Sequence, residues 1–433
     1  MTDMRLQHKN SDTGQRSILL FKQLRENVHW ILLGIGAQVV IVAYYWFEWR
    51  TFETFVLAID HSPLFMPDFV VVYYPMGKQV FQNLTPSFGY FYTSFFALLL
   101  APISAQTLPA AMILWEALQL ISLIALCVVS ARLLELPPLG TVLYVGLCTT
   151  SFPILHNLKW GQTSILITVC VIAAFLAYKR DRRILVGILL GFATAIKLYP
   201  GYFILYFILK RDVRTCVSFV LSTLIFYLVF PATIIGFDNW LAFERTTGAA
   251  IADATWISNN INSQYIVHFG LRWFDILFER TANGNVAKAL EMVGYGMALS
   301  CIAVVWLLQK SAAAKRDLLS LVALFLAIPF VLKTSWPHYF VYLPFCQAAI
   351  LSYLASHSRQ FGLPGKGLFV FPMLSMLFSS MVVFNTFANW ALYNGFGMLF
   401  LANLLLLIAV YGITVYQERN EFRATTSSKG LYA

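Results

Sequence analysis

Residues 184–209 read ILVGILLGFATAIKLYPGYFILYFIL, with Arg182-Arg183 before them and Lys210-Arg211 after them. Between the two basic pairs the chain is apolar except at a central turn, GFATAIKLYPGYF, where Lys197 stands. Each arm holds about 12 residues, or roughly 18 Å of helix, so the turn falls short of the far surface of a bilayer. The stretch reads as a membrane hairpin whose basic ends lie on one side. An ionisable residue at the depth of Lys197 is costly and by default functional, a phosphate being a better partner than lipid; the alternative is snorkelling to the outer interface.

The rest of the chain repeats the pattern. Of 433 residues 59% are hydrophobic and 12% charged, about half the charged share of an ordinary soluble domain. Twelve apolar segments are long enough to span a membrane or tuck into a bundle: 29–48, 109–131, 138–156, 163–178, 184–196, 199–209, 214–236, 289–309, 318–334, 339–356, 367–386 and 395–416. The formal charge of +10 sits in short clusters between them, at Arg5 to Arg25, Lys179 to Arg183, Lys210-Arg211 and Lys310 to Arg316. Such clusters mark cytoplasmic loops, so the charge sets topology and implies no nucleic-acid partner.

The expected fold is therefore all-α and polytopic, with a cytoplasmic segment 1–28 before a retained first anchor, a membrane domain 29–416 and a cytoplasmic tail 417–433. The stretch 91–105 is read as a helix at the outer interface, because a further span there would put Lys179–Arg183 outside. Two sizeable outward loops remain, 49–108 and 237–288, and chemistry is sought on that face. The six cysteines all lie in apolar runs without Cys-x-x-Cys spacing, so neither a disulfide framework nor a zinc site is expected. No Asp-x-Asp occurs in the loops, which argues against a nucleotide-sugar donor held through a metal, and no metal or other cofactor is expected.

The first loop carries MPDFVVVYYPMGKQVFQNLTP, 66–86. Asp68, set among apolar and aromatic neighbours with Tyr73-Tyr74 close behind, is partly desolvated and suits a general base; Glu48, Glu53 and Asp60 beside His61 are its rivals. Asn157 to Gln162 form the outer junction between two helices, where Gln162 either reads a sugar or caps the next helix. The second loop carries WISNNINSQYIVHFGLRWF, 256–274, in which a dense set of amides including Asn262 and Gln264 precedes Arg272 on an amphipathic interfacial helix. Amides read hydroxyls and a guanidinium clamps phosphate oxygens, a combination suited to a sugar phosphate. Ser335 to Tyr339 place Trp336 and His338 at the outer end of a helix pair, His338 either bonding a phosphate, relaying a proton or anchoring at the interface.

Taken in order, these stretches resemble glycosyltransferase family 87 of the GT-C superfamily, the polyprenyl-phosphate-sugar-dependent membrane enzymes that include mycobacterial mannosyl- and arabinosyltransferases. The likeness runs from Asp68 to His338. It rests on Asp68-Phe69-x-x-x-Tyr73-Tyr74 with Gly77, on FFALLLAPIS, on Gly161-Gln162, on GFATAIKLYP and on Trp336-Pro337-His338.

The resemblance implies that Asp68 is the catalytic aspartate of the first outer loop. Lys197, Arg272, His338 and Gln264 would then hold the donor and its phosphate, with Tyr74, Gln162, Asn262 and Trp336 toward the sugar or acceptor. The family's Asn-Gln-Ser-Leu segment, nine residues ahead of an Arg, falls on Ser263-Gln264-Tyr265-Ile266 before Arg272, where only Gln264 and Arg272 match. That departure bears on which sugar or acceptor is used.

The implied reaction is an inverting transfer from a polyprenyl-phosphate sugar, mannose, arabinose or another hexose or pentose, to a lipid-linked or envelope glycan. It would take place at the periplasmic face of a bacterial inner membrane. A flippase for lipid-linked sugars would instead spread polar residues along the spanning helices at mid-depth, and a scaffold subunit would need none of these residues.

Overall fold

The computed structural model describes residues 64–82, 86, 89–252, 257, 260–278, 284–310, 315–357, 367–387 and 390–429. The expected first span and the rivals Glu48, Glu53, Asp60 and His61 lie outside them. Among the described residues every regular element is a helix. In chain order they are a π-helical turn Phe69–Tyr73 running into α1 (Tyr74–Gln79), α2 (Ser94–Ser104), α3 (Leu108–Leu134), α4 (Pro138–Thr149), α5 (Phe152–Trp160), α6 (Ser164–Lys179) and α7 (Arg183–Ile196). A 3-10 turn Tyr199–Phe203 leads to α8 (Ile204–Leu209); α9 (Val213–Thr223) passes through a π segment, Leu224–Val229, into α10 (Phe230–Ile235). Then come α11 (Phe237–Ala252), α12 (Ile266–Phe278), α13 (Gly284–Lys310), α14 (Arg316–Val331), a 3-10 turn Pro337–Tyr342, α15 (Leu343–Ser356), α16 (Val370–Phe378), α17 (Met381–Thr386), α18 (Trp390–Gly395) and α19 (Met398–Lys429).

Among the described residues five stretches are long and apolar enough to cross a membrane: Leu108–Leu134, Val213–Ile235, Gly284–Lys310, Pro337–Ser356 and Met398–Gln417. The first three bury little of themselves and expose large apolar side chains such as Ile113, Ile121, Val217, Leu224, Met292 and Leu299. A water-soluble protein would not show such faces in bulk; a bilayer covers them. The chain is a multi-pass α-helical membrane protein.

Inside the bundle, close approach and satisfied polar groups hold helices together, since burial from lipid brings little hydrophobic gain. Gly187 and Gly191, one small-x-x-x-small pair on α7, let α9 come so near that a Cβ on Gly187 would stand 2.5 Å from the Phe219 amide nitrogen. Ser222 Oγ then donates to the Gly187 carbonyl at 2.8 Å. α14 is buried on nearly every face, and Asn403 of α19 donates to its Leu326 carbonyl at 2.9 Å while accepting from Tyr342 at 2.8 Å.

Two apolar runs read as single spans are broken. The run 138–156 ends one helix at Thr149 and starts another at Phe152, and 367–386 breaks between Phe378 and Met381. The breaks face each other: Phe152 N donates to Ser379 O and Met381 N to Thr150 O, both at 2.9 Å. Backbone freed from a helix inside a membrane protein must find partners in the protein, and each break supplies the other's. α2, expected at the interface, has seven of its eleven residues buried and packs among aromatic side chains of the first loop, α3 and α7.

Candidate active site

The segment 64–82 folds back on the α5–α6 junction. Met66 N donates to Lys159 O at 2.7 Å, and Phe69 stacks on Trp115 of α3 with ring centroids 5.3 Å apart. At the junction Gly161 has a φ of +71°, the left-handed region that side chains with a Cβ avoid, and a Cβ there would stand 2.9 Å from that of Phe69. Trp115 Nε1 donates to its carbonyl at 2.8 Å. Glycine is therefore required twice over, for its conformation and for the approach of Phe69, and the turn it makes carries Gln162 to Asp68.

Gln162 does not cap α6. Its Oε1 accepts from Tyr73 at 2.8 Å and from Tyr92 at 2.7 Å. Burial holds both phenols above their ordinary range, so both stay protonated: Tyr92 donates to Gln162, and the single Tyr73 O–H is shared between Gln162 and the Tyr92 oxygen 2.5 Å away. Two donors on one side fix the amide's orientation, and its Nε2 donates to Asp68 Oδ2. The carboxylate is thus aimed by a side chain that is itself held from behind; Asn157, at 2.9 Å from the Gln162 carbonyl and 2.8 Å from Gln119 Oε1, anchors the turn. A hydrogen bond to a charged group is worth about 1.5–3 kcal/mol, enough to hold one rotamer of Asp68.

Aromatic rings and Lys197 line the same chamber as Asp68. α7 ends at Ile196, its Ala195 carbonyl taken by Thr93 Oγ1, and Lys197 leaves the helix in an extended conformation. Its ammonium lies between two phenol faces, 4.2 Å from the Tyr92 centroid and 4.3 Å from that of Tyr339. Cation–π contact of this kind holds a cation by about 0.5–2 kcal/mol and leaves its N–H groups for an anion.

Asp68, Gln162, Lys197, Asn262, Trp336 and His338 line one chamber of about 280 Å³. Among the described residues Asp68 is the one carboxylate that lines it. The volume is near the low end of the roughly 300–1,000 Å³ of small-molecule pockets, room for a small polar group rather than a long chain. A second chamber of about 260 Å³ shares Phe91, Tyr92, Lys197, Thr334 and Tyr339 with it and adds Leu198, Ile251, Leu332 and Glu244. Lys197 stands where the two meet. Leu198 and Ile251 are exposed at the edge of the second chamber, which gives it an apolar mouth. Glu244, pushed above the ordinary carboxyl range by burial, accepts from Ser94 N and Oγ at 2.9 and 2.7 Å and so ties α11 to the start of α2.

Three sequence candidates lie elsewhere. Tyr74 points away and donates to Gln106 O at 2.9 Å; its neighbour Tyr73 is the one that lines the chamber. Gln264 is fully buried and spent on backbone, donating to Asn394 O at 3.0 Å and accepting from Phe400 N at 3.4 Å. Arg272 is not among the residues of the Asp68 chamber. Asn262 does line it, but its Oδ1 already accepts from Asn394 Nδ2 at 2.8 Å. Conversely Tyr92, His156, Trp160 and Thr334 belong to the chamber and were not singled out from sequence.

Comparison with known proteins bears on the family of the chain. The model of glycosyltransferase family 87 matches residues 90–332, a stretch that holds Gln162 and Lys197 and leaves Asp68, Trp336 and His338 outside it. The chain is 24% identical over 358 residues to the polyprenol-phosphate-mannose-dependent α-(1-2)-phosphatidylinositol mannoside mannosyltransferase of Mycobacterium tuberculosis, covering 74% of this chain and 76% of that one. It is 27% identical over 209 residues to the protein of that name from Mycolicibacterium smegmatis, covering 44% of this chain and 42% of the relative. No solved structure matches. A family match spanning more than half of the chain, on a helical membrane fold, makes this protein a member of glycosyltransferase family 87.

Proposed function

We propose that the protein transfers one sugar from a polyprenyl-phosphate carrier to an acceptor hydroxyl, with Asp68 as general base and the carrier's phosphate at Lys197. The acceptor oxygen attacks the anomeric carbon, and its proton passes to Asp68. The bond from that carbon to the phosphate oxygen breaks with its electron pair on the phosphate, and the carrier leaves as a monoester with one more negative charge. Asp68 later returns the proton to water. Asp68 is the one carboxylate among the described residues that line the chamber, which supports a single displacement with inversion, because a retaining route through a covalent intermediate calls for a second one as nucleophile.

The observation that carries this reading is the Asp68–Gln162 hydrogen bond with Lys197 in the same chamber. A base must stand within hydrogen-bond reach of the proton it takes, and fixed positive charge must meet the charge that develops on the leaving group. In this reading the isoprenoid chain leaves through the second, apolar-mouthed chamber, the phosphate rests where the chambers meet, and the sugar lies beside Asp68. The twelve-span topology follows the same reading, with the basic clusters in the cytoplasm and the chamber on the outer face. Both relatives are named for a mannose donor, which makes polyprenyl-phosphate mannose the first donor to try.

The test is transfer from a panel of radiolabelled polyprenyl-phosphate sugars by the purified protein, with nucleotide sugars as the contrasting arm. Turnover with a polyprenyl-phosphate donor alone is the expected result, and turnover with nucleotide sugars alone would overturn it.

A further inference from the structure

His156 and His338 come from opposite parts of the fold, the first from α5 and the second from the 3-10 turn before α15, and meet face to face in the Asp68 chamber. Their rings are 5.8 Å apart and 26° from parallel. Both are nearly fully buried, at 4% and 2% exposure. His156 Nδ1 and both ring nitrogens of His338 have no hydrogen-bond partner in the structure. Leaving a buried polar group unpaired costs about 1–3 kcal/mol, and three such atoms at the edge of one cavity are difficult to account for as packing alone.

Stacking fixes where the pair points. Trp160 lies behind His156 at 5.7 Å and 16°, and Tyr339 beside His338 at 5.0 Å, the same Tyr339 whose face holds the Lys197 ammonium. The rings therefore form a row leading from Trp160 to the cation. A neutral imidazole carries one N–H, so the row offers two further donors, His338 next to the Tyr339 that carries Lys197 and His156 one ring farther along the chamber wall. That set of groups suits the oxygens of a phosphate and has no use for an apolar chain.

We propose that His156 and His338 are a paired hydrogen-bond donor for the carrier's phosphate, with His156 as a binding residue of the site in its own right. This rests on the polyprenyl-phosphate reading above. The pair bonds the phosphodiester of the donor and keeps those bonds as the oxygen released from the sugar gains charge. Neither imidazole takes or gives up a proton in the step.

Equilibrium binding of undecaprenyl phosphate and of undecaprenol to the purified full-length protein tests it. His156→Phe keeps the stacked ring and removes the N–H. The expected result is a loss of about tenfold in affinity for the phosphate, a hydrogen bond's worth, with alcohol binding unchanged. His156→Asn, which restores an N–H donor, recovers most of that loss, and His338→Phe repeats it. Should the Phe variant fail to fold, His156→Leu is read by the same criterion. Phosphate binding by His156→Phe, or by the Leu variant in its place, within about twofold of the parent would overturn the pairing while leaving the transfer reading intact. No measurable binding of undecaprenyl phosphate by the parent would remove the carrier reading and the pairing with it.

Discussion

The Asp68 chamber and α12 both hold buried charge and amides, yet they use them in opposite ways. In the chamber the amide of Gln162 is tied to protein on its oxygen and aims a carboxylate with its nitrogen, and Lys197 is held by ring faces. Around α12 the amides are consumed: Gln264 is bonded to the backbone at Asn394 and Phe400, and Ser263 Oγ lies 2.6 Å from His268 Nδ1. Burial lowers His268 to about 4, with Arg272 and Lys333 adding to it, so that ring is neutral at pH 7. Arg272 differs again. Its three guanidinium nitrogens are buried without a hydrogen-bond partner, and burial brings the group down only to about 10, so it stays charged. A polar group recognises this ligand only if the fold has left it unsatisfied and it lines the chamber; Arg272 meets the first condition and not the second, so the chamber is built to act while most of the α12 segment is built to hold.

That contrast can be broken by mutation. The largest effect is expected at Asp68, where Asp68→Asn keeps size and most hydrogen bonding but removes basicity and should lower turnover by about 10²–10⁴-fold with donor affinity retained. Lys197→Met should next weaken binding of a polyprenyl-phosphate donor by about 2–5 kcal/mol, read in a direct binding assay, because a desolvated phosphate loses its counter-charge. Gln162→Leu leaves Asp68 in place without its aim, and kcat should fall about 10–100-fold while donor affinity moves little, the scale seen when a supporting hydrogen bond to a working group is removed.

On the other side, Gln264→Leu unpairs the Asn394 carbonyl and the Phe400 amide and should cost about 1–3 kcal/mol of stability by thermal unfolding, with turnover per folded molecule unchanged. The smallest effect is expected from Arg272→Met on donor affinity, about threefold or less. A loss there equal to that at Lys197 would erase the distinction between the two regions and return the phosphate to α12.

Much of the chamber was legible because polar residues at the ends of apolar runs stand out. Asp68, Gln162, Lys197, Trp336 and His338 each interrupt a hydrophobic stretch, and the fold gathers all five. The amide-rich loop before Arg272 was legible only in composition. Sequence shows how many amides a loop holds and not whether neighbours from α18 and α19 satisfy them, as Asn394 and Phe400 do. His156 was hidden for another reason: it lies in the run 138–156, which reads as one span. The break at Thr150-Ser151 that turns α5 inward is stabilised by Ser379-Ser380, far along the chain, and local pattern carries no trace of that pairing. The span count, too, depends on helices such as α6, α7 and α8 that are apolar but shorter than a bilayer, whose role is set by their neighbours.

The most direct test is a cryo-electron microscopy structure of the protein bound to a non-transferable phosphonate analogue of its polyprenyl-phosphate sugar. The account predicts the sugar beside Asp68, with the anomeric carbon open to an acceptor oxygen within hydrogen-bond reach of the carboxylate, and the phosphonate against Lys197 where the two chambers meet. A phosphonate seated on the Arg272 guanidinium, with the Asp68 chamber empty, would contradict it.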